Sequence, residues 1–302
     1  MGNIVVAGSS NTDMVVKVPQ MPRPGETVLG GTFFMAAGGK GANQAVAAVR
    51  AGGAVTFVAC VGADAFGEQA VQGFRKDGID TKYVFTVDEA PSGVALIMVD
   101  DGGENSIAVA SGANARLYPH HIDEAAAAIA AADVLLVQLE TPLATVEAAV
   151  ALAAAHGTRV ILNPAPAQAL GDDILQHVSV ITPNRSEAEL LTGLALDHPS
   201  RLDEVASALL SRGADVALIT LGGEGLYLAT SERRERIPAF DVQPEDTTAA
   251  GDTFNGALSV ALSESMPLRD AARFASAAAA ISVTRRGAQP SAPHRDEILR
   301  ML

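Results

Sequence analysis

The stretch Asp246–Ser259, Asp-Thr-Thr-Ala-Ala-Gly-Asp-Thr-Phe-Asn-Gly-Ala-Leu-Ser, carries residue types that could hold a phosphate and take a proton beside it. Ala249, Ala250 and Gly251 lead into an alanine-rich helical pattern, and Asp252 falls where that helix should begin. The first turn of a helix has N–H groups without intrahelical partners and carries partial positive charge. Small residues let an anion come close to those groups. A carboxylate beside a bound phosphate is a candidate base for an incoming hydroxyl. The same residues also read as an ordinary helix start, because Asp is a preferred cap and small residues pack closely. The rest of the chain has to decide between the two.

Further polar residues fall at the ends of apolar runs. Asn11 and Asp13 follow Ile4–Ala7 and the turn Gly8-Ser9-Ser10. Two polar side chains two apart could grip vicinal hydroxyls, or simply make a turn. Gly38-Gly39-Lys40-Gly41-Ala42-Asn43 opens a helix running to about Arg50. Its glycines would let backbone approach a ligand, and Lys40 and Asn43 offer donors, but the pattern is neither the dinucleotide fingerprint nor the P-loop. Glu140 follows the run Val134–Gln138, and Asn163 ends Arg159–Asn163. Asn184 and Glu187 follow Val178–Thr182 at a spacing that shares one helical face, and Thr220 precedes the flexible turn Gly222-Gly223-Glu224-Gly225. Ligands of open α/β sheets bind at the carboxyl ends of the strands, so this distribution predicts a cleft along that edge.

Positioning these residues requires a sheet, and the strand–helix rhythm from Val55 onward predicts a mostly parallel one with helices on both faces. Helices are expected near 66–77, 143–155, 186–192, 201–211, 253–263 and 268–283. The segments Met14–Val18, Thr27–Met35, Ser92–Val99 and Glu104–Val109 have β character and no helix between the first two; the last two read as a hairpin around Asp100-Asp101-Gly102-Gly103. They predict a small separate β-sheet whose apolar face covers a ligand or another subunit. At 302 residues the chain can hold one large core with an appendage. A net charge of −14 argues against binding nucleic acid or an anionic membrane. The single cysteine, Cys60, lies in an apolar run and reads as core; it permits no internal disulfide, which suits a reducing, cytoplasmic location. No signal peptide or membrane-length apolar run is expected. The six histidines have no zinc-like spacing and read as surface or helix-end residues, and no Gly-x-Ser-x-Gly elbow is present.

Taken together, the glycine-rich turn Gly38–Asn43 with Gly52 and Gly62, and Asp246–Ser259, resemble the two signature patterns of the ribokinase (PfkB) family of carbohydrate kinases. Asn11 and Asp13, Gln138-Leu139-Glu140, Asn163-Pro164-Ala165-Pro166, Thr182-Pro183-Asn184 and Thr284–Ser291 extend the resemblance over essentially the whole chain. It implies one ribokinase-like α/β domain over residues 1–302, with lid segments at about 14–35 and 92–110. It implies phosphorylation of D-ribose at O5 by ATP. Asn11, Asp13, Gly39, Lys40, Gly41, Ala42, Asn43 and Glu140 would bind the sugar. Asp252 would be the base, with an ordinary low pKa, and Ala249, Ala250 and Gly251 the anion hole. Asn184 and Glu187 would organise Mg2+ and phosphate. Thr220, Leu221, Gly222, Gly223, Glu224 and Gly225 would line the nucleotide site. Ser276 would lie near the adenine, where the family often carries a larger residue. Asp246, Thr248, Ser282, Arg285, Gly287 and Ser291 match a monovalent-cation loop, several through backbone oxygens, and K+ would order the anion hole. The lid would pair two subunits. Another sugar or a nucleoside as acceptor, and a catalytically silent sugar-binding homologue, are the competing readings. A nicotinamide-dependent dehydrogenase is disfavoured because its fingerprint is missing after the first strand.

Overall fold

The run Val134-Leu135-Leu136-Val137 has no polar side to turn to water, so a strand made from it must be covered on both faces. In the computed structural model, which describes residues 2–302, it lies near the middle of a nine-stranded sheet. The chain forms β1 (Asn3–Ala7), β2 (Asn11–Val18), β3 (Thr32–Gly38), β4 (Ala54–Gly62), β5 (Asp80–Val87), β6 (Gly93–Asp100), β7 (Asn105–Ala110), β8 (Val134–Val137), β9 (Arg159–Leu162), β10 (Val180–Ile181), β11 (Val216–Thr220), β12 (Leu226–Ala229) and β13 (Arg234–Ile237). The main sheet has the order β13-β12-β11-β10-β9-β8-β1-β4-β5, and every strand runs parallel except β12, which is antiparallel to both neighbours.

Side chains alternate across this sheet into two cores. Val5, Ala7, Leu135 and Val137 pack on one face with helices Leu143–Ala155, Arg185–Thr192 and Leu202–Ser211. Ile4, Val6, Val134 and Leu136 pack on the other with helices Lys40–Arg50, Ala250–Ser263 and Leu268–Ser282. The fold is the predicted α/β architecture. No helix among the described residues is long and apolar enough to cross a membrane.

Three strands escape the sequence pattern. β5 and the antiparallel pair β12–β13 close the two edges of the sheet, and β13 (Arg-Glu-Arg-Ile) is mostly charged. β5 and β13 are edge strands, which need only one buried face, so their apolar signal is weak; β12, inside β13, is short but fully buried. The run expected to be extended from Val178 to Thr182 narrows to Val180–Ile181. The Val178 N–H closes a turn onto Leu175 O, the last residue of the short helix Asp172–Leu175, so extended backbone starts only beyond it.

The second sheet has the order β3-β2-β6-β7 and covers nearly the expected segments. It begins earlier than predicted, at Asn11, so Asn11 and Asp13 are strand residues of this small sheet and not a turn. β3 starts at Thr32, five residues later than predicted from Thr27, because Gly30 and Gly31 (φ 90° and 125°) break extended backbone before it. Register places Asp13 beside Ala36 and Ala95, and Val15 beside Phe34 and Ile97. Both faces are apolar. Phe34, Ile107 and Val109 lie on the Asp13 face, and Phe33, Met35, Leu96 and Met98 on the opposite face, all exposed.

Candidate active site

The site is assembled where β1 and β8 end and two helices begin. Gly39 caps the helix Lys40–Arg50 at φ 89°, ψ 129°, a conformation disfavoured for residues with a Cβ. This turn brings the Lys40 N–H within 3.0 Å of Glu140 Oε2, which also accepts from Ser9 Oγ at 2.5 Å. The Gly41 N–H in turn donates to Ser9 Oγ. Glu140 is therefore tied to the start of the helix. On the small sheet, Asn11 Oδ1 accepts from Asn114 Nδ2 at 2.7 Å, and Asn114 Oδ1 accepts from the Ser10 N–H at 2.8 Å. Asn114 is buried and sets the Asn11 amide. Sequence reading missed it because it lies 103 residues away in an irregular turn.

Asp252 is buried in the first turn of helix Ala250–Ser263. Its Oδ2 accepts from Asn43 Nδ2 at 3.0 Å and its Oδ1 from Gln44 Nε2 at 2.9 Å. Both donors come from the helix Lys40–Arg50. The carboxyl is not at the ordinary low pKa expected from the sequence. Burial pushes it up, and Lys40 with the two amide donors offsets this only in part, while Glu140 adds to the rise. Burial alone would lower the Lys40 ammonium, but Asp252, Glu140 and Glu187 hold it above its ordinary value. Lys40 thus stays cationic among four carboxylates, counting Asp13. Carboxylates accept hydrogen bonds and cannot donate them, so Asp13, Glu140 and Asp252 suit a ligand rich in hydroxyl donors. Asn43 Oδ1 is buried and has no protein partner, which leaves one more acceptor on this side.

The helix is entered through Ala249, a non-glycine residue in the left-handed region at φ 57°. Such outliers cluster at functional sites. The N–H groups of Gly251 and Asp252 find no acceptor among the described residues, and a Cβ on Gly251 would meet no atom within 4 Å. Ala250 N–H makes only a 3.3 Å bond to Thr247 O. The start of this helix is an open, positively polarised surface beside a carboxylate. Asn255 Nδ2 braces it from behind by donating to Gly251 O, and Thr182 Oγ1 holds Asn255.

Asn184 and Glu187 lie side by side, as their spacing suggested, but as a cap and its third residue. Asn184 is the N-cap of helix Arg185–Thr192 and Glu187 folds back onto it in a reciprocal capping box, accepting from Asn184 N and Nδ2 at 2.8 and 2.9 Å. Burial raises the Glu187 carboxyl, against the Asn184 N–H and Lys40. Asn184 also bridges to Thr220, so this cap adjoins the turn after β11. There Leu221 N–H donates to Gly225 O, and Gly222, Gly223 and Glu224 form one helical turn. A Cβ on Gly222 or Gly223 would meet nothing within 4 Å, while Glu224 pairs with Arg185 at 3.0 Å. Ser276 is half-buried on helix Leu268–Ser282.

Of the residues read as a cation loop, Asp246, Thr248 and Gly287 are brought together by hydrogen bonds. Asp246 Oδ1 accepts from Thr248 N and Oδ2 from Gly287 N, at 2.9 and 2.8 Å. Burial raises this carboxyl, but the hydrogen bonds from Thr248 and Gly287, with Lys17, outweigh it and hold it below the usual range. Ser282 and Ser291 turn their hydroxyls to Ala279 O and Ala288 O, and the Arg285 guanidinium pairs with Glu297. His121 departs from the surface reading, being buried against Phe85. Cys60 is core, and burial pushes its thiol up to about 12.

The family model "pfkB family carbohydrate kinase" matches residues 1–295. Ribokinase of Haemophilus influenzae is 46% identical over 299 residues, covering 99% of this chain and 98% of that one. Deoxyribokinase of Salmonella typhi is 37% identical over 292 residues, covering 96% and 95%. The structure of Arabidopsis thaliana ribokinase complexed with ribose and ATP superimposes with a TM-score of 0.93 at 31% identity, covering 99% and 98%. The chain belongs to the pfkB family of carbohydrate kinases and is a phosphotransferase.

Asp13 gives a test of the pocket's electrostatics. Burial first, then Glu140 and Asp252, push its carboxyl from 3.8 to about 6. A carboxyl that binds its proton more tightly folded than unfolded makes stability fall as pH rises, here between about pH 4 and 6, by roughly 1–3 kcal/mol. Asp13→Asn is expected to make the ligand-free protein more stable in urea at pH 7.5, with a smaller gain at pH 5. No gain at pH 7.5 would contradict the desolvated carboxylate.

Proposed function

We propose that the protein transfers the γ-phosphoryl group of ATP to the 5-hydroxyl of D-ribose, giving D-ribose 5-phosphate and ADP. The observation that carries this is Asp252, a buried carboxylate in the first turn of a helix where the N–H groups of Gly251 and Asp252 are free. Asp252 accepts the hydroxyl proton as the O5–P bond forms and the bond from phosphorus to the leaving ADP oxygen breaks. Phosphoryl transfer depends chiefly on positioning and on stabilising spread negative charge. The N–H groups of Ala250, Gly251 and Asp252 serve that charge, entered through Ala249. A carboxyl raised by burial, with Lys40 offsetting part of the rise, is a better proton acceptor than an ordinary one. The carboxylates and free Asn43 oxygen, with Asn11, Gly39, Lys40, Gly41 and Ala42, grip the sugar. The turn Thr220–Gly225 and Ser276 take the nucleotide.

Mg2+ keeps several waters and uses few carboxylates beside substrate phosphates, which fits the sparse donor set of Asn184 and Glu187. Bound there, it would neutralise phosphate charge. The Asp246 carboxylate is already shared by two N–H groups, so the loop offers mainly carbonyl oxygens, which suits a monovalent cation such as K+. The single buried cysteine supports a cytoplasmic place. We read residues 1–302 as one domain with a β lid, and the lid as the contact between two subunits. Its exposed Phe33, Leu96 and Ile107 (57%, 56% and 57%) support this, because a sugar covers one face at most. The similarity to a deoxyribokinase keeps 2-deoxyribose as the competing acceptor.

ADP release with ATP and Mg2+ across D-ribose, 2-deoxyribose, fructose and adenosine tests the reading, and D-ribose is expected to be turned over best. Asp252→Asn is expected to lower kcat by about 10³-fold or more while ribose still binds; near-normal turnover would remove Asp252 as the base. K+ is expected to stimulate the unsubstituted protein, and Asp246→Ala to weaken that stimulation more than ribose affinity. An unchanged K+ response would remove the cation loop. Sedimentation equilibrium is expected to give the mass of two chains, split by glutamate at both Leu96 and Ile107. A monomeric unsubstituted protein would end the lid-dimer reading.

A further inference from the structure

Gln44 and Gln138 have no part in the sugar or nucleotide sites, yet both are completely buried, Gln44 against Asp252 and Gln138 against Gln44. Gln44 Nε2 donates to Asp252 Oδ1 at 2.9 Å and to Asn163 Oδ1 at 3.0 Å. Gln138 Nε2 donates to Gln44 Oε1 at 2.6 Å. The direction of this chain is not free. An ionised carboxylate only accepts, so Gln44 has to face it with nitrogen. Its oxygen then points at Gln138, which has to answer with nitrogen too. The Gln138 oxygen is left buried without a protein donor, in space that exists because residue 8 is glycine; a Cβ there would lie 2.0 Å from it. A buried unpaired carbonyl is unfavourable, and it is the end point of an arrangement that keeps a donor aimed at Asp252.

We propose that Gln44, oriented by Gln138, is a positioning residue for Asp252. The Gln44 N–H holds Oδ1 on the far side, which leaves Oδ2, shared with the sugar-side Asn43, facing the hydroxyl to be deprotonated. This rests on the reading of Asp252 as the base. It makes the carboxylate rotamer a property of the two glutamines and not of the substrate. Gln44 sits one residue from a sugar contact but acts on the proton acceptor.

The test is steady-state kinetics with ribose and ATP, alongside ribose calorimetry and melting temperature. Gln44→Met keeps the length and loses the donor. Its kcat is expected to fall about 10–100-fold, with ribose KM and affinity within about threefold. Gln138→Met does not touch Asp252 and is expected to lower kcat about 3–10-fold, yet to add almost nothing in the Gln44→Met background, because it works through Gln44. Gln44→Glu gives a rescue that a purely structural role would not. In its acid form it can donate to Oδ1 and accept from Gln138, so its kcat relative to the unsubstituted protein is expected to rise as pH falls, while that of Gln44→Met stays level. Lys40, Asp13, Glu140 and Glu187 face the same pocket in every variant, so the pH profile of Gln44→Met is the control against which that of Gln44→Glu is read. Full kcat in Gln44→Met, additive losses in the double variant, or ribose affinity lost in step with kcat would each overturn the proposal. If Asp252→Asn is inactive but Gln44→Met is fully active, only the glutamine relay fails; if Asp252→Asn is active, the base assignment fails and the relay with it.

Discussion

A carboxylate withdrawn from water keeps its charge only where donors and a cation replace the lost hydration. At Asp252 those replacements come from one neighbouring element, the helix Lys40–Arg50. It supplies Asn43 and Gln44 as donors and Lys40 as charge. The two helices must therefore lie unusually close. Gly256 makes this possible, since a Cβ there would come within 2.6 Å of Ala47 Cβ and Gln44 O. Ala42, Ala45 and Ala48 on one helix and Ala257 and Ala261 on the other are all buried in the same core. The alanine-rich character of both helices is thus connected to the chemistry, because bulkier side chains would separate the base from its donors.

The sheet does a different job. Its parallel order delivers Ser9, Gln138, Asn163 and Thr182 to one edge from β1, β8, β9 and β10, which are adjacent. Each then reaches forward to a helix start. Ser9 holds Glu140, Gln138 holds Gln44, Asn163 accepts from Gln44, and Thr182 holds Asn255. The cleft predicted at the carboxyl ends of the strands is a row of polar side chains from the sheet that fix the first turns of helices. The ligand-facing groups sit on those turns, one step further out.

Much of this was legible before the coordinates. Helix Leu143–Ala155 has its expected bounds, and the glycine-rich turn and the Asp252 helix begin where small residues announced them. What was hidden has a common physical origin. β13 carries three charged residues because an edge strand can leave them in water. Asn114 declares nothing locally, since its role depends on contact with Asn11 across 103 residues. Asn184 and Glu187 were read as a face because spacing alone cannot distinguish two exposed helix residues from a cap and its third residue. The Asp252 pKa was misjudged because burial is a property of the fold and not of the motif.

Asn11 and Asp13 belong to β2, a strand of the small sheet, while Glu140 and Asp252 belong to the main body. On the proposed reading, a sugar held by all four would bridge two pieces of the molecule, and gripping the acceptor and drawing the cover down would be a single thermodynamic event. An acceptor that lacks one hydroxyl then loses twice, once in contact energy and once in the fraction of time the cover is shut. Water, which has hydroxyl chemistry but cannot span the gap, holds nothing closed. On that reading, discrimination against solvent would be built into the reach of the acceptor and would need no group dedicated to rejecting water.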